Sequence, residues 1–164
     1  MHEILTCPPL RLAMTGEQPF DSTQQRGRVF VLYFYPKDNT PGCTQQANDF
    51  RDYYAQFKAL DVAIFGVSRN SLASHQNFKQ KMGYPFELIA DTEEIACQAF
   101  DVIKMKNSYG KQVRGIERST FVIDAQGLVI RAWRKVKVAG HVLEVLAFLK
   151  DYRREHGIAH EKTP

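Results

Sequence analysis

Two hydrophobic rhythms alternate along this chain. Val29-Phe30-Val31-Leu32-Tyr33-Phe34-Tyr35 is an unbroken apolar and aromatic run, bounded by Arg26-Gly27-Arg28 before it and Pro36 after it. Such a run, rich in β-branched and aromatic residues, predicts a strand buried on both faces. Val62-Ala63-Ile64-Phe65-Gly66-Val67 reads the same way. Between the two, Phe50, Tyr53, Tyr54 and Phe57 recur at three- and four-residue spacing. That spacing predicts one apolar face on a helix over about 41–58. Strand, helix and strand in this order predict a parallel pair joined by a right-handed crossover.

The rhythm continues downstream. Residues 71–82 predict a second helix, started by Ser71 or Asn70 and stopped by Gly83. Phe86-Glu87-Leu88-Ile89-Ala90 predicts a short strand, and Asp91 or Thr92 caps a helix running to about Phe100. The polar, basic stretch from Lys104 to Gly115 predicts a long loop. Thr120–Asp124 and Leu128–Trp133 predict two strands, joined by a tight hairpin turn at Ala125-Gln126-Gly127. A last helix over about 140–154 would bury Val142, Leu143, Leu146, Leu149 and Tyr152. Short strands are expected near Arg11 to Met14. The pattern is α/β: a mixed central sheet with helices on both faces, closed by an antiparallel hairpin and a final helix. That is the layout of a thioredoxin-like fold. No linker or repeat interrupts it, so one domain is expected over 1–164.

Composition narrows the function classes. The net charge is +4 and the isoelectric point is about 9.0, so nucleic-acid binding has to be weighed. The basic residues are dispersed, however. The densest stretch, Arg131 to Lys137, alternates with Ala132, Trp133 and Val136, the rhythm of a strand with one wet face. No nucleic-acid partner is expected. The N-terminus lacks a basic start followed by an apolar run, and no stretch approaches a membrane span. A cytoplasmic protein without membrane contact is expected. Three cysteines cannot all pair within one chain, which fits a reducing compartment. Cys7, Cys43 and Cys97 show no metal-ligand spacing with His2, His75, His141, His156 and His160. These histidines are expected mostly at the surface, and neither metal nor organic cofactor is called for. Trp133 reads as a packing residue.

The chemistry concentrates in Tyr35-Pro36-Lys37-Asp38-Asn39-Thr40-Pro41-Gly42-Cys43-Thr44. This segment leaves the first buried strand at its C-terminal end, the edge where α/β sheets collect their ligands. Thr40 suits an N-cap and Pro41 the first helical position. Cys43 then falls in the first helical turn, facing the positive end of the helix dipole. A free thiol is only about 3% thiolate at neutral pH, and thiolate is the nucleophile. A helix N-terminus or a nearby cation raises that fraction. Such a thiolate attacks peroxide oxygen and becomes a sulfenic acid. The competing reading is a buried cysteine acting as a small hydrophobe.

Pro36 through Thr44 resembles the peroxiredoxin signature, a proline and a threonine leading to Pro-Gly-Cys-Thr. With Val31 to Pro36 before it, the segment is most similar to the bacterioferritin-comigratory, or peroxiredoxin Q, subfamily. A second block, Gly115-Ile116-Glu117-Arg118-Ser119-Thr120-Phe121-Val122-Ile123-Asp124, resembles the later segment of that family carrying its active-site arginine. The likeness spans about residues 29–150, and the first 28 residues match less well. It implies a thiol-dependent peroxidase acting on hydrogen peroxide and organic hydroperoxides. Cys43 would be the peroxidatic nucleophile and Thr40 would hydrogen-bond the peroxide. Pro36 would shield the pocket, and Arg118 would stabilise the thiolate and polarise the peroxide. Taken alone, Arg118 would read as a surface salt bridge with Glu117 or another acid. A monomer or weak dimer is implied.

The chain departs from its relatives in one respect. Many carry a resolving cysteine five residues after the peroxidatic one, and others carry it in the next helix. Here those places hold Asn48 and Phe78-Lys79-Gln80. Cys97, in Glu93-Glu94-Ile95-Ala96-Cys97-Gln98-Ala99-Phe100, reads first as a packed residue and second as a resolving thiol. Cys7, beside Pro8-Pro9, is expected in a mobile segment that could reach another subunit. The favoured reading is a one-cysteine mechanism, with thioredoxin, glutaredoxin or a low-molecular-weight thiol as reductant; the alternative is resolution by Cys97 or Cys7. A dithiol oxidoreductase would want Cys-x-x-Cys, whereas Thr44-Gln45-Gln46 follows Cys43. A non-catalytic binding protein on the same scaffold is the remaining rival. The aromatic set Tyr33, Phe34, Tyr35, Phe50, Tyr53 and Tyr54 is expected mostly in the core, with part of it at the entry to Cys43.

Overall fold

Both apolar runs become central strands. The computed structural model describes residues 6–157. A short antiparallel pair, β1 (Arg11–Leu12) and β2 (Phe20–Asp21), leads into β3 (Val29–Phe34), α1 (Pro41–Asp52), α2 (Tyr54–Ala59) and β4 (Val62–Ser68). There follow α3 (Leu72–Met82), β5 (Glu87–Ala90), α4 (Ile95–Ala99), β6 (Ile103–Ser108), β7 (Lys111–Ile116), β8 (Ser119–Ile123), β9 (Val129–Trp133) and α5 (His141–His156). The main sheet has the order β5-β4-β3-β8-β9. Strands β3, β4 and β5 run parallel, and β8 and β9 are antiparallel additions on the other side of β3. This is the expected mixed sheet of a thioredoxin-like α/β fold.

Alternation along β3 divides the interior in two. Val29, Val31, Tyr33 and Tyr35 enter a core with Cys43, Ala47 and Phe50 of α1, Phe78 of α3, and Val142, Val145, Leu146 and Leu149 of α5. Phe30, Leu32 and Phe34 enter the opposite core, with Phe20, Phe65, Cys97 of α4, Phe100 and Phe121. Tyr33 lies stacked on Phe50, ring centroids 4.6 Å apart. Gly66 is its register partner on β4, and a Cβ there would come within 2.8 Å of Tyr33 and Leu88. The tyrosine ring occupies the room that only a glycine leaves.

Several expectations are corrected. The helix predicted over 41–58 breaks at Tyr53, whose φ of −102° and ψ of 6° separate α1 from α2. The segment predicted as a loop from Lys104 to Gly115 is the β6–β7 hairpin. Its strands are mostly exposed and rich in lysine, arginine, asparagine and glutamine, so their composition reads as a loop. The turn uses Tyr109 and Gly110 at φ of 52° and 79°, the paired positive values of a tight hairpin. The helix expected from Asp91 or Thr92 starts only at Ile95, because Glu94 is left-handed (φ 61°). Asp91 instead accepts the Cys97 N–H at 2.7 Å. Glu94 is held by Arg69 and Arg114, which ties α4 to the hairpin. The strand of the basic stretch ends at Trp133, and Arg134 donates to the carbonyls of Phe100 and Asp101. Leu143 is exposed, since the buried stripe of α5 runs through Val142, Val145, Leu146, Leu149 and Arg153.

Among the described residues, two of the three histidines are not at the surface. His75 and His141 are buried and His156 is exposed; His2 and His160 lie outside the described residues. His141 begins α5, with Nε2 2.8 Å from the Thr120 hydroxyl. Trp133 packs edge-on against it, confirming that tryptophan as a packing residue. Burial pushes the pKa of His141 down to about 4, Glu144 pulling it up and Arg118 lowering it further. The unfolded chain takes this proton near pH 6.5. The contribution of His141 to stability is therefore complete above pH 6.5 and is lost as pH falls toward 4, by about 3 kcal/mol. Urea midpoints measured from pH 7 to pH 4.5 should fall steeply for the native chain and more shallowly for His141→Asn. Equal slopes would show that the ring is not held neutral.

Candidate active site

The site forms where β3 gives way to α1. Tyr35 still donates its N–H to the Val67 carbonyl at 3.0 Å, and Pro36 then ends the pairing. Asn39 takes a left-handed conformation (φ 64°), which asparagine tolerates better than most residues. Thr40 is the N-cap residue of α1 by its backbone, with Pro41 following at the first helical position. Its side chain does not cap. The Thr40 hydroxyl donates to the Lys37 carbonyl at 2.8 Å, which closes the loop upon itself. Cys43 sits in the first turn, as expected, and is 2% exposed.

Arg118 reaches this turn through strand register. Phe34 pairs with Ser119 across the antiparallel β3–β8 ladder. Arg118, immediately before β8, therefore lies beside the chain as it leaves β3. Its Nη2 is 3.4 Å from Cys43 Sγ, and its Nη1 donates to Gln46 Oε1 at 2.6 Å. No ion pair with Glu117 forms among the described residues. A Cβ at Gly42 would lie 3.3 Å from Arg118 Nη2, so this glycine lets the guanidinium approach the helix end closely. Gln46 was not singled out by the sequence reading. It lies three residues after Cys43, on the same helix face, and it is fully buried. That spacing was the available signal.

The structure brings Cys43, Arg118 and Gln46 into contact and places Pro36 and Thr40 on the adjoining loop. It does not bring the other thiols near. All three cysteines are free, but Cys43 belongs to one core and Cys7 and Cys97 to the other, across the sheet. Cys7 is buried rather than mobile: its N–H donates to the Gly127 carbonyl at 2.9 Å. Burial raises its pKa to about 11, against opposing effects of Ser22 and Arg26. Burial also pushes Cys97 far up, with the hydrogen bond and charge of Asp91 adding to it. In both, burial disfavours the thiolate, the reactive form. The vacant resolving positions have structural occupants. Asn48 accepts from the Tyr84 hydroxyl at 2.9 Å, and Lys79 pairs with Glu87 at 2.8 Å.

Tyr33, Phe34, Tyr35 and Phe50 are core residues, while Tyr53 and Tyr54 are half-buried. A cavity of about 320 Å³ beside Pro36 is lined by Pro36, Lys37, Arg69, Asn70, Thr92 and Glu94. No helix among the described residues is long and apolar enough to cross a membrane.

A cysteine in the first turn of a helix, 3.4 Å from an arginine delivered by an antiparallel strand, is an arrangement suited to holding a reactive thiolate. The sequence profile of the AhpC/TSA family matches residues 6–132, and the chain belongs to that family. It is an enzyme of the peroxiredoxin class, and its relatives place it with the Bcp, or peroxiredoxin Q, proteins. It is 50% identical over 146 residues to peroxiredoxin Bcp of Xanthomonas campestris pv. campestris, covering 89% of this chain and 91% of that one. It is 49% identical over 144 residues to peroxiredoxin Bcp of Bacillus subtilis, covering 88% and 92%. Among solved structures, the Xanthomonas campestris bacterioferritin comigratory protein superposes with a TM-score of 0.83 at 50% identity, over 87% of this chain and 91% of that one. That protein was captured as trapped intermediate and ligand complexes bearing on its alkyl peroxide reduction activity.

Proposed function

We propose that Cys43 carries out a one-cysteine peroxidase cycle on hydrogen peroxide and organic hydroperoxides. The Cys43 thiolate attacks the terminal oxygen of the peroxide. A sulfur–oxygen bond forms, the oxygen–oxygen bond breaks, and the departing alkoxide or hydroxide leaves as alcohol or water after taking a proton. Cys43 is left as a sulfenic acid. One external thiol condenses with it, releasing water and forming a mixed disulfide. A second thiol then displaces Cys43 and leaves as the disulfide.

Each neighbour has a part. Arg118 offers a fixed positive charge to the thiolate and to the negative charge developing on the leaving oxygen. Gln46 orients its guanidinium. The Thr40 hydroxyl, already donating to Lys37, presents its lone pairs and so accepts a hydrogen bond from the O–H of the incoming peroxide. Pro36 keeps water from the sulfur. The reductant is a small thiol or a protein of the thioredoxin or glutaredoxin type. The setting is the cytoplasm, and the protein works as a single-domain monomer or weak dimer, without nucleic acid.

One observation carries this reading: Cys43 Sγ lies 3.4 Å from Arg118 while the other two cysteines are on the far side of the sheet. The test is to treat reduced protein with one equivalent of hydrogen peroxide, trap with a sulfenic-acid reagent and record peptide masses. One trapped oxygen on Cys43, with Cys7 and Cys97 still thiols, is expected. A disulfide from Cys43 to Cys97 or Cys7 would replace this cycle with a two-cysteine one.

A further inference from the structure

The loop that carries Pro36 and Thr40 is fastened at its middle by Asp38, and the fastening is charged. The Asp38 side chain is 1% exposed, yet three side chains converge on it. Its Oδ1 accepts from the Tyr35 hydroxyl at 2.6 Å. Its Oδ2 accepts from the Ser74 hydroxyl at 2.8 Å and lies 2.7 Å from His75 Nδ1. Its backbone N–H donates to Asn70 Oδ1 at 3.0 Å. Burial by itself would raise the Asp38 carboxyl, but the bonds from His75, Tyr35 and Ser74 and the charge of His75 outweigh it, and the net shift is downward.

His75 is fully buried, and its second nitrogen, Nε2, lies 2.9 Å from the Ile89 carbonyl. A carboxylate faces one ring nitrogen and a carbonyl the other. Both are acceptors, so each side of the ring offers a partner for an N–H, and the Tyr35 hydroxyl lies 3.4 Å from Nδ1. The other titratable groups that feel Asp38 are the hydroxyls of Tyr33, Tyr35 and Tyr84. None of these is a base, which leaves His75 as the basic side chain in contact with Asp38.

We infer that the buried His75–Asp38 ion pair positions the Pro36–Thr40 loop over Cys43, making both residues positioning groups for the peroxidase reaction. The pair joins the end of β3, the first turn of α3 and β5 to that loop. Asp38 stands two residues from Pro36 and two from Thr40, so its anchorage fixes both. The inference rests on the roles proposed for Cys43 and Thr40.

Two measurements test it. The first is nitrogen-15 NMR of the histidine rings in the reduced wild-type protein. Both His75 nitrogens should show imidazolium shifts at pH 7, and in Asp38→Asn the ring should become neutral. A neutral wild-type ring would overturn the inference whether or not any variant folds. The second compares two reactions of Cys43 in His75→Gln. Oxidation by peroxide needs the loop hydroxyl, whereas alkylation by iodoacetamide needs only the thiolate. Oxidation should slow by about tenfold or more, the scale of a displaced positioning group, with alkylation within about twofold of wild type. Equal loss of both rates, or no loss of either, would refute the positioning role. Failure of the Cys43 assignment itself would show separately, as trapped oxygen elsewhere than on Cys43.

Discussion

Cys43→Ser will consume no peroxide above the thiol background, a loss of at least about a thousandfold, as expected when a nucleophile is removed. Cys7→Ser and Cys97→Ser will each keep turnover within about twofold. A serine hydroxyl at the head of α1 has the same neighbours but is not ionised near neutrality, so Arg118 has no anion to hold and peroxide meets no nucleophile. The other two substitutions lie in the opposite core. Each exchanges a buried thiol for a hydroxyl, and the cost, roughly 1–3 kcal/mol, falls on folding rather than chemistry. Thiol-dependent peroxide consumption, followed at one protein concentration for all three variants, decides the matter. An active Cys43→Ser would remove the proposed mechanism. A large loss in Cys97→Ser, with folding intact, would restore Cys97 as a resolving thiol despite the sheet between them.

The second large effect belongs to Arg118. Arg118→Met keeps much of the side-chain volume but removes the charge and both donors. Oxidation of Cys43 should slow by about 10²–10³-fold, the usual cost of losing a fixed donor aimed at developing charge. Arg118→Lys should recover only part of this. A lysine offers a point charge, and it cannot reach Cys43 Sγ and Gln46 Oε1 together as the planar guanidinium does at 3.4 and 2.6 Å. Competition for hydrogen peroxide against a heme peroxidase of known rate would measure both variants. Rates within about threefold of wild type would mean that the arginine serves packing alone.

How much of this could be read in advance depends on where the determining contact lies. The βαβ unit was legible because β3 and β4 are buried on both faces and their composition says so. Cys43 was legible because an N-terminal helical turn is a local property of Thr40-Pro41-Gly42-Cys43. Arg118 was found only through likeness to a family, since its position depends on the β3–β8 register, a pairing of residues far apart in the chain. The same holds for His75 and His141. Nothing beside them in sequence marks them as buried; the acceptors that hold them come from Asp38, Ile89 and Thr120. Cys7 looked mobile because Pro8 and Pro9 follow it, whereas its fastening is to Gly127, over a hundred residues later. The β6–β7 hairpin escaped for the opposite reason. It buries little, its alternation is confined to Ile103-Lys104-Met105-Lys106, and its turn residues carry most of the information.

The central sheet works as a partition between sulfur atoms. An oxidised Cys43 in the proposed cycle has no thiol partner in its own compartment among the described residues, so that cycle draws its reductant from outside. Its waiting time in the sulfenic state is then set by the supply of thiol around it. While it waits, a second peroxide competes for the same sulfur and drives it toward the sulfinic acid, which thiols do not reverse. On the proposed cycle the protein would gauge the ratio of peroxide to reductant, cycling where thiol is plentiful and silencing itself where it is not.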